Sequence, residues 1–140
     1  MDVIRTQRTD GPELRILLIE DSALLQNRLI EMLAEPGTMR VVATASTETE
    51  AIAQLDSATY DVLLVDVQLR VGTGIGVIRH ARRIYAPHHQ PLIIVLTNYP
   101  LAAVRTRCLD AGADHFLDKL SQFQEVKPLI VEGRGPGAGH

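Results

Sequence analysis

Short runs of Val, Ile and Leu alternate along this chain with segments of helical spacing, and this alternation limits the possible folds more than any other sequence feature. The apolar runs span residues 15–19, 40–45, 62–66, 92–97 and 115–117. Strands that are apolar along their whole length, with a helix between each pair, are typical of a parallel sheet covered by helices on both faces. We therefore predict a doubly wound α/β fold with five strands in the order 2-1-3-4-5 and five flanking helices.

The segments between these runs place apolar residues three or four positions apart, as amphipathic helices do. Ser22 and Thr47 stand where the first two helices should begin, and both residue types cap helices well. The expected helices carry, in order, Leu25, Leu29, Met32 and Leu33; Ala51, Ile52 and Leu55; Val77, Ile78, Ala81 and Ile84; Ala103, Val104, Arg107 and Ala111; and residues 123–130. Pro128 lies inside the fifth segment, so it should kink that helix or delay its start.

The length and composition predict one globular domain. A chain of 140 residues fits a single domain, and 46% hydrophobic with 22% charged residues is ordinary globular composition. Charged and Gly-Pro sequence precedes the first strand, and glycine recurs at every second position near the end. We expect a flexible N-terminal segment over residues 1–13, a folded domain over residues 14–131, and a flexible Gly/Pro-rich tail over residues 132–140.

Charge and cysteine content exclude several classes of protein. Fourteen Lys and Arg against seventeen Asp and Glu give 14 − 17 = −3, which argues against bulk attraction to nucleic acid. Cys108 is the single cysteine, so neither an internal disulfide nor a thiolate zinc site is expected. No apolar run approaches the roughly 18–20 residues of a membrane span. These features predict a soluble cytoplasmic protein that binds neither nucleic acid nor membrane.

Polar residues follow four of the five predicted strands at their carboxyl ends. Glu20 and Asp21 follow the first strand, Asp66 ends the third, Thr97 ends the fourth, and Lys119 lies just after the fifth. Because the carboxyl ends of parallel strands share one edge of the sheet, we expect these side chains to converge in one crevice. For Asp21 a second interpretation is open, since an acidic residue here also suits the N-cap of the first helix.

Such a cluster favours phosphoryl transfer onto an aspartate. Three neighbouring carboxylates repel one another unless a cation shares the site, and hard oxygen ligands suit Mg²⁺. Lys119 supplies a positive charge for a phosphoryl oxygen, and Thr97 supplies a hydroxyl donor. Asp66, which stands alone at its strand end between the other groups, is the expected phosphoryl acceptor.

Four motifs carry a family resemblance: LLIEDS, LLVDVQL, IIVLTNY and AGADHFLDKL. They resemble the receiver domain of two-component response regulators over nearly all of residues 14–131, which implies a flavodoxin-like, CheY-like fold. By this resemblance Asp66 is the phosphoacceptor and Lys119 the phosphate-binding lysine, while Thr97 and Phe116 form the switch pair. The implied Mg²⁺ ligands are the side chains of Glu20, Asp21 and Asp66 and the backbone carbonyl of Gln68.

The resemblance implies a signalling domain rather than an enzyme that acts on a separate substrate. A histidine kinase or a histidine phosphotransfer protein would donate the phosphoryl group. The signal would leave through the fourth helix, fifth strand and fifth helix to a downstream protein or an output domain. The chain either stands alone or is cut from a larger regulator, and a homodimer is possible.

Several positions depart from the commonest receivers. The stretch after Asp66 lacks the usual proline, so Gly72 and Gly74 should supply the turn. The residue after the switch threonine is usually small, but Asn98 stands there and is expected to reduce access to the phosphoryl pocket. The switch aromatic is Phe116 rather than Tyr, and Leu120 replaces the proline whose peptide bond is usually cis. Tyr99 either slows loss of the phosphoryl group or is simply an exposed loop residue.

Two other functional classes compete with a phosphorylated receiver. The first is an interaction module with the receiver fold that signals by binding alone, although the intact set of site residues argues against it. The second is an aspartyl phosphatase that acts on small substrates. Such an enzyme needs a second acid two residues after the nucleophile, where this chain has Gln68. Leu24, next to the acidic pair, is either an exposed contact for a kinase helix or a partly buried core residue.

Overall fold

The computed structural model describes residues 13–134, which form one five-stranded parallel sheet with helices on both faces. The strands are β1 (Leu14–Ile19), β2 (Met39–Ala45), β3 (Val62–Val65), β4 (Leu92–Thr97) and β5 (His115–Asp118). The helices are α1 (Ala23–Met32), α2 (Glu48–Ser57), α3 (Gly74–Ile84), α4 (Ala102–Ala111) and α5 (Val126–Arg134), with 3₁₀ turns at Pro87–His89 and Phe123–Glu125. The strand order is β2-β1-β3-β4-β5, which confirms the predicted topology.

Alternate residues of the central strands build two separate cores, one on each face of the sheet. Leu17 of β1 and Leu63 of β3 face one core, which α2, α3 and α4 cover. Ile16 and Leu64 face the other, which α1 and α5 cover. Because both faces are covered, the strands are apolar at consecutive positions rather than at every second one.

Side-chain caps fix where the first three helices begin. The hydroxyls of Ser22, Thr47 and Thr73 each accept a hydrogen bond from the backbone amide three residues later. Helices leave their first amides without intrahelical partners, and these caps satisfy one amide in each. Ser22 is therefore the N-cap of α1, and the alternative interpretation of Asp21 as that cap is wrong.

The buried faces of α4 and α3 differ from expectation. In α4, Ala103 and Arg107 are exposed, whereas Cys108 is fully buried and Val104 is half-buried beside it. A cysteine packs as a small apolar residue, so the buried face runs through positions 104, 108 and 111. At the end of α3, Ile84 is likewise exposed rather than part of the core.

The fifth helix starts late and ends late. A 3₁₀ turn occupies residues 123–125, and α5 begins at Val126, which places Pro128 in its first turn, where no intrahelical donor is needed. The predicted delay is confirmed. The helix continues to Arg134, so the expectation that a flexible tail begins at residue 132 is wrong. Gly133 allows the helix to approach β4, because a Cβ there would lie 3.1 Å from the Leu92 side chain.

At the other end, Glu13 was expected to belong to the flexible segment. Its carboxylate instead accepts a hydrogen bond from the Gly37 amide at 2.8 Å and pairs with Arg40 at 3.0 Å. Residues 1–12 and 135–140, which make up the rest of the two expected flexible segments, lie outside the described residues.

Candidate functional site

The parallel sheet brings four strand ends together at one edge. Glu20 follows β1, Asp66 follows β3, Thr97 ends β4, and Lys119 follows β5. These four side chains are nearly inaccessible, with exposed fractions of 1% to 9%. Burying a polar group costs free energy unless the group is paired, so these side chains need partners at this edge of the sheet.

Three carboxylates meet at the centre of this edge. One oxygen each from Glu20, Asp21 and Asp66 lies within 4.8 Å of the others, and Asp21 is the exposed member of the group. The ammonium of Lys119 bridges the two buried carboxylates, at 2.7 Å from Glu20 Oε1 and 2.9 Å from Asp66 Oδ2. With all four groups ionised the local charge is −3 + 1 = −2.

Backbone amides hold the two buried carboxylates in place. The Ser22 amide donates to Glu20 Oε2 at 3.0 Å, and the Gln68 amide donates to Asp66 Oδ1 at 3.2 Å. The side chain of Gln26 also donates to the backbone carbonyl of Glu20. Each carboxylate thus has one oxygen on Lys119 and the other on the backbone, which leaves little rotational freedom.

Burial dominates the acid–base behaviour of the cluster. Removal from water raises the pKa of both Glu20 and Asp66 above their usual values, although the hydrogen bonds from Lys119 oppose the rise. Burial alone would lower the pKa of Lys119, but its hydrogen bonds to the two carboxylates outweigh burial and raise that pKa. The lysine therefore stays protonated, whereas ionisation of the two carboxyls is disfavoured because they have lost hydration.

The donor set fits a divalent hard cation. Carboxylate oxygens are the ligands that Mg²⁺ prefers, and the exposed side chain of Asp21 leaves the cluster open to solvent. A divalent ion also balances the residual charge of −2. Glu20, Asp21 and Asp66 are thus brought together as a metal site requires, whereas Lys119 competes with a metal for two of the three.

The two residues of the predicted switch pair lie on neighbouring strands. Thr97 is buried, and its hydroxyl oxygen accepts a hydrogen bond from the Tyr99 amide at 3.0 Å. Phe116 lies one strand away in β5 and is half-buried, with its ring packed against the core that α2, α3 and α4 cover. In the pairing of β4 with β5, Thr97 lies opposite Asp118 and Phe116 lies opposite Val95, so the two residues are on adjacent strands but are not direct partners.

A cleft of about 680 Å³ opens over the cluster, and it contains residues that the sequence analysis missed. Arg28, Leu25 and Phe123 line it together with the predicted metal and phosphate residues, whereas the predicted switch residues Thr97 and Phe116 do not line it. Arg28 and Leu25 lie seven and four positions after Asp21, which is one face of α1, so helical spacing from the acidic pair is a signal that would have found them. Arg28 adds a positive charge at the mouth of an acidic cleft.

Large apolar side chains are exposed in the cleft lining and next to it, since Leu120 lines the cleft and Leu24 precedes the lining residue Leu25. Leu24 of α1 is 72% exposed and Leu120 is 85% exposed, so the interpretation of Leu24 as a partly buried core residue is wrong. Asn98 and Tyr99 both line the cleft from the loop after β4, and Tyr99 is 55% exposed. The peptide bond before Leu120 is trans.

The loop between β3 and α3 takes the predicted turn. Gly72 has φ +83°, a conformation that glycine adopts readily, and a Cβ at Gly74 would collide with the Asp66 carbonyl. Thr73 caps α3. The two glycines therefore shape the loop after Asp66. His88 and His89 lie exposed in a 3₁₀ turn away from the cleft.

No helix within residues 13–134 is long and apolar enough to cross a membrane.

Comparison with known proteins agrees with this geometry. The family model described as the response regulator receiver domain matches residues 16–130. A hybrid signal transduction histidine kinase of Dictyostelium discoideum is 25% identical over 128 residues, which are 91% of this chain and 4% of that protein. A protein-glutamate methylesterase/protein-glutamine glutaminase of Pseudomonas syringae pv. syringae is 32% identical over 124 residues. That alignment covers 84% of this chain and 31% of the methylesterase, so the chain spans about a third of such relatives.

Solved structures share the fold. The receiver domain of a sensor histidine kinase from Pseudomonas aeruginosa, with a magnesium ion coordinated in its active-site cleft, is 28% identical with a TM-score of 0.74, over 88% of this chain and 98% of that one. The receiver domain of a NarL response regulator from Mycobacterium tuberculosis is 20% identical with a TM-score of 0.77, over 89% and 98% of the two chains. With motif, topology and strand-end cluster in agreement, this chain belongs to the response regulator receiver domain family of two-component signalling.

Proposed function

We propose that this receiver domain accepts a phosphoryl group on Asp66 from a phosphohistidine, and that the modification switches its α4-β5-α5 face. One observation carries the proposal. Asp66 follows the central strand β3, between the strand ends that carry Glu20 and Thr97, and it lies both in the three-carboxylate cluster and at 2.9 Å from the buried ammonium of Lys119. A buried nucleophile beside a fixed cation is the arrangement that phosphoryl transfer to a carboxylate requires.

The transfer forms one bond and breaks one. A carboxylate oxygen of Asp66 attacks phosphorus, and the bond from phosphorus to the donor imidazole nitrogen breaks in line with the attack. The imidazole keeps the electron pair and takes a proton, and Asp66 becomes a mixed acyl phosphate. Lys119, with three N–H donors, would bind a phosphoryl oxygen as charge builds on it.

Mg²⁺ bound by Glu20, Asp21, Asp66 and the backbone carbonyl of Gln68 would offset charge on the phosphoryl oxygens. The observation that supports this ligand set is the separation of at most 4.8 Å among one oxygen from each of the three carboxylates. Asp21 is the exposed member, so it would meet the ion from the solvent side. The residual charge of −2 on the cluster favours a divalent ion over a monovalent one.

Thr97 would report the new phosphoryl group to the surface. A threonine hydroxyl accepts and donates at the same time, so Thr97 can donate to a phosphoryl oxygen while it keeps the hydrogen bond from the Tyr99 amide. A small movement of its side chain frees or fills space next to Phe116 in β5. The half-buried ring then favours one of two packings beneath α4, and the exposed face of α4, β5 and α5 changes with it.

The phosphoryl donor would be a histidine kinase or a histidine phosphotransfer protein. The target of the signal would be a downstream protein, an attached output domain or a second copy of the chain. The exposed side chain of Leu120, which lines the cleft together with Asp66, supports a protein donor because it offers an apolar contact there, and Leu24 is exposed next to the cleft residue Leu25. The buried free thiol of Cys108 is compatible with a reducing cytoplasm, which is the location we propose.

The test is direct phosphorylation. Purified protein is incubated with Mg²⁺ and acetyl phosphate, and its intact mass is measured beside Asp66→Asn and the control Asp110→Asn, which changes an exposed aspartate on α4. We expect the mass of one phosphoryl group on the wild type and on the control, and none on Asp66→Asn. A folded wild type that gains no phosphoryl group from any donor would instead favour an interaction module that acts without phosphorylation.

A further inference from the structure

A glutamate on α2 reaches across to the loop that follows Asp66. Glu48 is the first residue of α2, and its Oε1 accepts a hydrogen bond from the Thr73 amide at 2.9 Å. The Glu48 amide donates in turn to the Val71 carbonyl at 3.0 Å. One half-buried residue therefore holds two positions of the β3–α3 loop, from a different part of the chain.

The start of α3 has a place for this carboxylate. In a capping box, the N-cap side chain accepts from the third amide of the helix, and the third residue's glutamate accepts from the N-cap amide. Thr73 accepts from the Gly76 amide at 3.3 Å, but Gly76 has no side chain to complete the pair. Glu48 does so from α2, and a Cβ at Gly76 would collide with its carboxylate.

The residues held by Glu48 connect to the phosphorylation site. Thr73 forms an isolated antiparallel bridge with Gln68, and the Gly74 amide donates to the Val67 carbonyl at 2.9 Å. The Gln68 amide donates to Asp66 Oδ1. A continuous set of contacts thus runs from Glu48 through the capped start of α3 to the backbone beside Asp66.

The loop has two apolar anchors of its own, because Val67 is buried in the core and Leu69 packs against it. Residues 67–73 contain no proline, and Gly72 has φ +83°, so the unbound loop has high conformational freedom. The Gln68 and Thr73 side chains are exposed, and their packing contributes little to holding the loop. Val71, Gly72 and Thr73 have no such core contact, and Glu48 anchors this half of the loop from outside.

We propose that Glu48 is a positioning residue for the metal and phosphoryl site: it completes the cap of α3 from α2 and so holds the Gln68 backbone where its carbonyl can bind Mg²⁺. This inference rests on the proposed function. Glu48 itself touches neither the metal nor the phosphoryl group.

The test compares Glu48→Ala with Glu50→Ala. Glu50 lies in the same turn of α2, but its hydrogen bonds stay local, to Thr47 and to the Ser46 amide. Three quantities are measured on each variant: thermal stability, Mg²⁺ affinity by calorimetry, and hydrogen exchange of the Thr73 amide in metal-free protein. We expect both variants to lose stability, and only Glu48→Ala to exchange Thr73 faster and to bind Mg²⁺ about 10-fold more weakly.

Two further variants separate positioning from general loss of stability. Glu48→Gln keeps an oxygen acceptor and should retain most of the Mg²⁺ affinity. The double variant Glu48→Ala with Gly76→Glu returns the carboxylate within α3 itself, because the atoms nearest a Cβ at Gly76 all belong to Glu48. We expect it to recover slow exchange at Thr73 and the Mg²⁺ affinity of the wild type.

The outcomes distinguish a failure of the positioning role from a failure of the proposed function. If Glu48→Ala binds Mg²⁺ as tightly as Glu50→Ala does, while the wild type is phosphorylated, the positioning role is wrong and the proposed function stands. If the wild type neither binds Mg²⁺ nor takes a phosphoryl group, the proposed function fails and the positioning role fails with it.

Discussion

Replacement of Lys119 by methionine removes the cation that holds two buried carboxylates together. Its ammonium lies 2.7 Å from Glu20 and 2.9 Å from Asp66, with the lysine side chain 7% exposed. At an effective dielectric constant of about 20, each ion pair contributes about 6 kcal/mol of gross Coulomb attraction. The desolvation of the lysine, which the variant no longer incurs, offsets much of this sum.

Lys119→Met breaks buried ion pairs and leaves two carboxylates without a cation, and this lowers the free energy of unfolding. Removal of one partner typically costs about 3–5 kcal/mol, and the open cleft places this site near the lower figure. For a domain of this size we expect the melting temperature to fall by about 10 °C. Mg²⁺ replaces the missing charge, so it should raise the melting temperature of the variant more than that of the wild type.

The pH dependence has a definite sign. Burial raises the pKa of Glu20 and Asp66 above the values 4.5 and 3.8, so protonation of either carboxyl favours the folded state. Loss of Lys119 removes the group that opposes this rise. The loss of stability in Lys119→Met should therefore be full near pH 7, and it should shrink as the pH falls through the raised pKa values of the two carboxyls.

The assay is thermal unfolding across pH, with and without Mg²⁺, and Lys127→Met is the matched control. Lys127 pairs with Glu35 at 2.6 Å, but both side chains are more than a third exposed, so the control should lose little stability and show no specific response to Mg²⁺. Equal stability of the two variants, or an equal response to Mg²⁺, would refute the reasoning.

Three other substitutions test separate parts of the structure. Arg82→Ala removes hydrogen bonds to the Gly112 and Pro91 carbonyls and to the Asp114 carboxylate, and we expect the free energy of unfolding in urea to fall by about 2–3 kcal/mol, with Arg83→Ala nearly neutral. Thr97→Val should still be phosphorylated but should abolish the phosphorylation-dependent shift of the Phe116 ring resonances in NMR spectra. Asp21→Asn should weaken Mg²⁺ binding in calorimetry by about 10-fold and change stability by less than about 0.5 kcal/mol, because Asp21 is exposed.

The sequence predicts the elements that depend on local pattern. Apolar runs such as the one that contains β4 are continuous because both faces of the sheet are covered, and Ser22 and Thr47 begin helices because their side chains satisfy the first amides. The positions of Asp66 and Lys119 at strand ends follow from the same pattern, since parallel topology alone brings those ends to one edge.

Features set by tertiary contacts were not predictable in this way. The Glu48 carboxylate contacts Thr73 only because α2 and α3 are neighbours on one face of the sheet, and no local rule pairs the two residues. Gly133 reads as a breaker in sequence but lies in α5, since it allows the helix to pack closely on Leu92. Cys108 is buried because a cysteine side chain packs as a small apolar residue, and a single cysteine in the sequence does not indicate such a position.

Chemical trapping of the phosphorylated residue addresses the central claim, that Asp66 carries the phosphoryl group. Borohydride reduces an acyl phosphate to an alcohol and releases inorganic phosphate, so phosphorylated Asp66 becomes homoserine. Trypsin then yields a peptide of residues 41–70, whose fragment masses separate position 66 from Asp56 and Asp61. We expect homoserine at position 66 alone, dependent on phosphodonor and Mg²⁺. Homoserine at another aspartate, or none in protein whose intact mass shows a phosphoryl group, would contradict the assignment.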